Sequence, residues 1–244
     1  MRGSLGGLRL DLVTFAAACM VLALKHLFER DIMHRDIKPA NVLMDHHGYC
    51  KLTDFGIAKS LLNRTTRTQS VVGSPKYMSP ELASLWQGQG QPYSHTTDWW
   101  SLGITLFELC VGYTPFAGKS WMLGPDLISD VMRRVSAYRN SAQGADLSLR
   151  KDHPVFVPFS QDPKWAPMHD FVCELMSADG ATRLGCIPRE ALKQRVFEEG
   201  ILPGGDFWAR LHSGDVAAPF VVRFTLPVCV SGGVGWLTAC IAPK

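Results

Sequence analysis

The run Asp98-Trp99-Trp100-Ser101-Leu102-Gly103-Ile104-Thr105-Leu106-Phe107-Glu108-Leu109-Cys110, wound as a helix, is apolar on nearly every side. A helix with no broad polar face is stable only in the middle of a domain, so the rest of the chain has to wrap around it. Such wrapping needs material, and 244 residues at 46% hydrophobic and 19% charged supply enough for one globular domain. Nearer the start, Leu12, Phe15, Ala16, Cys19, Met20, Ala23 and Leu27 recur at helical spacing and predict a second buried helix. With Arg2 and Arg9 ahead of it, this run superficially has the shape of a secretory signal. Asp11 interrupts that pattern and no small-residue cleavage site follows, which favours the core helix.

Between these helices lies the most chemically loaded stretch, His34 to Gly56. It opens with His34-Arg35-Asp36-Ile37-Lys38-Pro39-Ala40-Asn41, placing Asp36, Lys38 and Asn41 on one tight loop. Two short apolar runs follow, Val42–Met44 and Cys50–Thr53, separated by a turn at His46-His47-Gly48. Paired as a hairpin, they bring Asp54 back beside the loop. A carboxylate and an amide at one mouth suit a divalent cation held through oxygen. The charged-loop pattern His-Arg-Asp-x-Lys-x-x-Asn followed by Asp-Phe-Gly resembles the catalytic and magnesium loops of eukaryotic protein kinases.

That resemblance implies roles. Asp36 orients the substrate hydroxyl or accepts its proton, and Lys38 neutralises the transferring phosphoryl group. Asn41 and Asp54 hold Mg²⁺ across the phosphates of ATP, Phe55 packs beneath them, and Leu43 forms an adenine floor. The run Val71-Val72-Gly73-Ser74-Pro75-Lys76-Tyr77-Met78-Ser79-Pro80-Glu81 is similar to the anchor closing the activation segment of serine/threonine kinases. Counting back from Gly73, Ser70 falls at the activating phosphate position, facing Arg35, with Thr66 and Thr68 as competing acceptors. Lys38 and the Gly73-Ser74 pair point to Ser/Thr rather than Tyr acceptors. Arg183 is implied as the ion-pair partner of Glu81. Asp98 is implied to accept backbone N–H groups of the catalytic loop, with helix capping as a compatible alternative.

The signature Arg183-Leu184-Gly185, with Asp206 to Leu211 and Ala218 to Val221, resembles the AGC group, and a few strings look most like phosphoinositide-dependent protein kinases. The glycine loop, paired lysine and helix glutamate of a kinase small lobe have no counterpart before His34. The expected fold is therefore mainly α with a small β-hairpin: a kinase large lobe, residues 1–220, without its small lobe. Leu127, Ile128, Val131 and Val135 suggest one helix, Asn140 to Ser148 a loop, and residues 136–165 an insertion. Residues 221–244 form an apolar tail whose glycines and Pro227 disfavour a membrane span.

Seven cysteines without metal-ligand spacing, among them Cys19, Cys110 and Cys173 in apolar helical contexts, predict reduced thiols in a cytoplasmic protein. A net charge of +3 with no basic run argues against a nucleic-acid partner. The function implied is ATP- and Mg²⁺-dependent phosphoryl transfer to protein Ser/Thr hydroxyls. In that reading the first part of the catalytic domain lies on a longer chain or on a partner, and the isolated 244 residues are close to inactive. The alternative is a pseudokinase-like lobe that binds protein partners without catalysis.

Overall fold

The computed structural model describes residues 3–63, 67–116, 124–142, 153–198, 206–223 and 240–243. Its axis is a helix, α3, Thr96–Val111, buried along its length apart from Glu108 and Leu109, which are half-buried. It stops at Gly112, whose left-handed backbone (φ 93°) ends the helix without the steric cost a side chain would carry. An earlier helix, α1 (Leu10–Glu29), lies against α3 and buries Leu12, Phe15, Cys19, Met20, Leu24 and Leu27. α1 is long and apolar enough to cross a membrane, yet most of its apolar stretch is buried inside this fold.

Short strands follow α1. β1 (Ile32–Met33) pairs with β4 (Lys59–Ser60), and β2 (Val42–Met44) pairs antiparallel with β3 (Cys50–Leu52). The hairpin register sets Val42 opposite Leu52 and Met44 opposite Cys50. β3 ends one residue earlier than the sequence pattern predicts. Thr53 instead turns its N–H and its hydroxyl to the Asn41 carbonyl, at 2.9 and 3.1 Å. His46 and His47 are exposed in the turn.

α5 (Ala166–Leu175) packs against α3, while α2 (Pro80–Trp86) and α4 (Gly124–Ala142) pack on each other, with Tyr138 of α4 reaching the Trp100 ring of α3. α5 crosses α3 at Gly103, where an added Cβ would stand 2.8 Å from Met176 Cγ, so only glycine permits this approach. α4 runs through Ala142, so residues 140–142 are helical rather than loop; the remainder of the expected loop lies outside the described residues. Where they are described, residues 136–165 mix exposed positions with large buried rings. Tyr138 is buried on α4, and Phe156, Phe159 and Trp165 are buried from the two 3₁₀ turns Pro154–Gln161 and Pro163–Trp165, Phe159 meeting the Phe107 ring of α3. Short helices α6 (Pro188–Ala191), α7 (Arg195–Glu198) and α8 (Phe207–Ser213) close the bottom. A last antiparallel pair joins β5 (Phe220–Arg223) to β6 (Cys240–Pro243), and the rest of the apolar tail lies outside the described residues.

The loop between α5 and α6 is locked onto α3 by Gly185, which has φ +98° and would put a Cβ within 2.1 Å of the Trp99 ring. Gly185→Ala therefore meets both backbone strain and a clash with a rigid indole. It is expected to destabilise the fold by about 3 kcal/mol, read as a lowered denaturation midpoint with an unchanged m-value.

Candidate active site

The loop after β1 is fixed from below. The carboxylate of Asp98, on the first turn of α3, accepts the backbone N–H of His34 through Oδ2 and that of Arg35 through Oδ1, each at 2.8 Å. Burial pushes the Asp98 carboxyl above its ordinary range, while the two N–H donors and the nearby positive charges pull the other way. His95 occupies the capping position of α3, with no capping bond from its side chain, and Asp98 lies in the first turn beyond it. Arg35 and Asp54 have left-handed backbones, φ 69° and 60°, a conformation costing a non-glycine residue roughly 1–2 kcal/mol. The His34 ring adds a contact to the Thr53 carbonyl at 2.9 Å, tying the loop to the end of β3.

On this base the structure brings Asp36, Lys38 and Asn41 together. Asp36 Oδ2 accepts Lys38 Nζ at 2.7 Å and Asn41 Nδ2 at 3.0 Å, while Oδ1 accepts the Ser74 N–H at 3.0 Å. Lys38 Nζ also donates to Ser74 Oγ at 2.8 Å. Partial burial alone would raise the Asp36 pKa, but the hydrogen bonds from Lys38 and Ser74 and the lysine charge outweigh it and hold the carboxyl below its usual range. Ser74 reaches this position because Gly73, φ +107°, passes so close that a Cβ would lie 2.4 Å from the Arg35 carbonyl oxygen.

Asp54 follows directly on the Thr53–Asn41 contacts, with an exposed side chain whose Oδ1 accepts the Gly56 N–H at 3.2 Å. Phe55 remains 48% exposed, with its ring edge-on to His34 at 4.8 Å, so it is only half packed. Leu43 is 58% exposed, as the middle residue of a strand whose neighbours Val42 and Met44 turn toward the core. Oxygen ligands suit a hard divalent cation, and Asn41, which spends its nitrogen on Asp36, and the exposed carboxylate of Asp54 are the oxygen donors that could hold one. No cluster of three His, Cys, Asp or Glu side chains stands ready for a metal among the described residues. That donor set fits Mg²⁺, which takes one or two protein oxygens and completes its shell with phosphate and water.

Arg35 points from the loop toward the following segment, donating to the Ile57 carbonyl and to Ser70 Oγ, both at 2.7 Å. Ser70 is exposed, whereas Thr68 is buried and accepts Lys59 Nζ at 2.9 Å. Thr66 lies outside the described residues. Lys59 and Tyr93, whose hydroxyl donates to the Ser70 carbonyl at 2.6 Å, are partners that the sequence reading did not single out. Lys59 sits on a two-residue strand and Tyr93 in a loop, and neither spacing nor composition marks them.

Farther along, Arg183, 1% exposed, grips Glu81 with two N–H donors at 2.7 and 2.9 Å and also donates to the carbonyls of Ser177 and Thr96. Its guanidinium lies 5.3 Å from the centre of the Trp100 ring. Burial would raise the Glu81 pKa, but the charge and hydrogen bonds of Arg183 bring it below the usual range. A depressed carboxyl contributes stability that is complete above its ordinary value of 4.5 and lost as pH falls through the folded value. Glu81→Gln is accordingly expected to cost about 3–5 kcal/mol near neutral pH. The gap from the parent should narrow in acid, as seen in urea melts run at successive pH values; a gap constant with pH would contradict this account.

A model of the protein kinase domain matches residues 6–197. The chain is 41% identical over 210 residues to ribosomal protein S6 kinase alpha-1 of Homo sapiens, covering 85% of this chain and 24% of that one. It is 37% identical over 149 residues to the serine/threonine-protein kinase AtPK1/AtPK6 of Arabidopsis thaliana, covering 61% of this chain and 31% of the relative. The yeast Saccharomyces cerevisiae cAMP-dependent protein kinase type 3 is 42% identical over 108 residues, 44% of this chain and 25% of its own length. The chain thus spans between a quarter and a third of these relatives. With its charged loop, hairpin and ion-paired segment all inside the matched residues, the chain belongs to the protein kinase family.

Proposed function

We propose that this chain supplies the large-lobe half of an AGC-type Ser/Thr kinase site, transferring a phosphoryl group from ATP to a protein hydroxyl once a small lobe completes the nucleotide pocket. The observation that carries this reading is the Asp36 carboxylate, held ionised and oriented by Lys38, Asn41 and the Ser74 backbone. A carboxylate with a depressed pKa is a weak base. Its part is to align the acceptor hydroxyl and take its proton late, as suits a loose transition state with little need for an activated nucleophile. Lys38, already 2.7 Å from Asp36, sits where it can balance charge on the group in transit.

Mg²⁺, bound by Asn41 and Asp54, would supply charge neutralisation on the phosphates. Leu43 offers an apolar surface for the adenine. The AGC assignment is supported by Arg183-Leu184-Gly185 and by the names of the ribosomal S6 and cAMP-dependent relatives; the narrower likeness to phosphoinositide-dependent kinases rests on short strings alone. The free cysteines, buried at Cys19, Cys110 and Cys173, fit a reducing cytoplasmic setting.

The 244 residues alone are expected to bind Mg·ATP weakly by calorimetry and to phosphorylate a basic peptide only at background. Joined to a kinase small lobe, the chain should gain transfer that Asp36→Asn reduces by about a thousandfold. Full activity in the Asn variant would refute the assignment. A phosphate on Ser70 should order residues 67–74, giving slower tryptic cleavage there, and Arg35→Ala should erase that protection.

A further inference from the structure

We propose that Cys19 and Cys50 are a peroxide-responsive thiol pair that closes reversibly into a disulfide joining α1 to the β2–β3 hairpin. Both cysteines are free. Cys19 is 7% exposed on α1, and Cys50, half-buried, is the first residue of β3. Two sets of contacts turn them toward each other. The Phe15 ring meets the Tyr49 ring edge-on at 5.4 Å, and Cys19 stands one helical turn beyond Phe15 on the same face. Ala16 and Met20, the next residues round that face, line a groove together with Cys50. The two thiols end in hydrogen-bonding contact, the Cys50 S–H donating to the Cys19 sulfur.

That bond gives the two thiols different roles. It holds the Cys19 thiol below its usual range against the opposing effect of burial, and the same bond, helped by burial, pushes the Cys50 thiol up. The thiolate is the form that attacks a peroxide. The groove beside the pair admits molecules the size of water, and hydrogen peroxide is little larger. The Cys19 thiolate attacks one peroxide oxygen, the O–O bond breaks, and the departing hydroxide takes the Cys50 proton and leaves as water. Cys19 is then a sulfenic acid and Cys50 a thiolate. Cys50 attacks the Cys19 sulfur, the S–S bond forms, and the hydroxide expelled is protonated by solvent to a second water. The two sulfurs together lose two electrons and the peroxide is reduced to two waters. A dithiol reductant reverses the change by thiol–disulfide exchange. The link encloses residues 20–49, and with them the charged loop from His34 to Asn41, in one covalent ring. Cys110 is the contrast: burial alone acts on it and pushes its thiol up, which leaves it inert.

The test takes the reduced 244-residue chain, exposes it to dilute hydrogen peroxide, alkylates the remaining thiols with iodoacetamide and digests with trypsin. Mass spectrometry should find residues 10–25 joined to residues 36–51, and dithiothreitol should separate them. Cys186, half-buried, serves as the reference thiol and should be oxidised about tenfold more slowly than the pair. Unfolding the chain in urea before the peroxide is added should remove that advantage, because it arises from the folded contact. In Cys50→Ser, dimedone should trap the sulfenic acid on Cys19 and no crosslink should form. The proposal is overturned if both cysteines of the folded parent can still be alkylated once Cys186 has been oxidised. It is equally overturned if either one links to a different cysteine, whether or not the variant folds.

Discussion

The protein depends on a carboxylate buried where a carboxylate is costly. Asp98 sits in the core, and the desolvation of its charge is offset in part by two short N–H donors from consecutive residues, His34 and Arg35. The two bonds hold the two peptide planes that flank His34 against one carboxylate. That constraint offsets the left-handed backbone at Arg35 and sends the next residue, Asp36, out of the core at a set angle. A charged loop placed directly on the most apolar helix is thus held by geometry specified from inside the fold.

The segment carrying Ser70 to Glu81 is pinned by different physics at its two ends. At one end Arg35 reaches the exposed Ser70 hydroxyl, an interaction weak enough for covalent chemistry to change. At the other, Glu81 is gripped by an arginine with almost no solvent contact, and Thr97 adds a third donor at 2.9 Å. Between them Gly73 lies against the Arg35 carbonyl oxygen with no room for a side chain.

Much of this could be read from the residues. The two core helices follow from apolar periodicity, and the hairpin from two short apolar runs around a glycine turn. The loop's charged groups follow from a spacing that few other chemistries need. What could not be read depends on contacts between distant residues. Lys59 and Tyr93 acquire their meaning only when the Thr68–Tyr93 bridge brings a second loop across. The burial of Phe156, Phe159 and Trp165 was hidden because their segment has neither helical nor strand period; 3₁₀ turns built on Pro154 and Pro163 leave no such signature. The anchoring of the loop by Asp98, by contrast, follows from the resemblance and is what the structure shows.

The burial of the apolar stretch of α1 has a consequence for biosynthesis. The helix emerges from the ribosome well before its packing partner, because α3 ends roughly 80 residues after α1 does. At about 5–20 residues per second, a greasy twenty-residue rod waits several seconds for its cover. During that interval it presents the same surface a membrane-targeting factor would recognise, so nascent-chain chaperones have a larger part in this protein's yield than the stability of the finished fold would suggest.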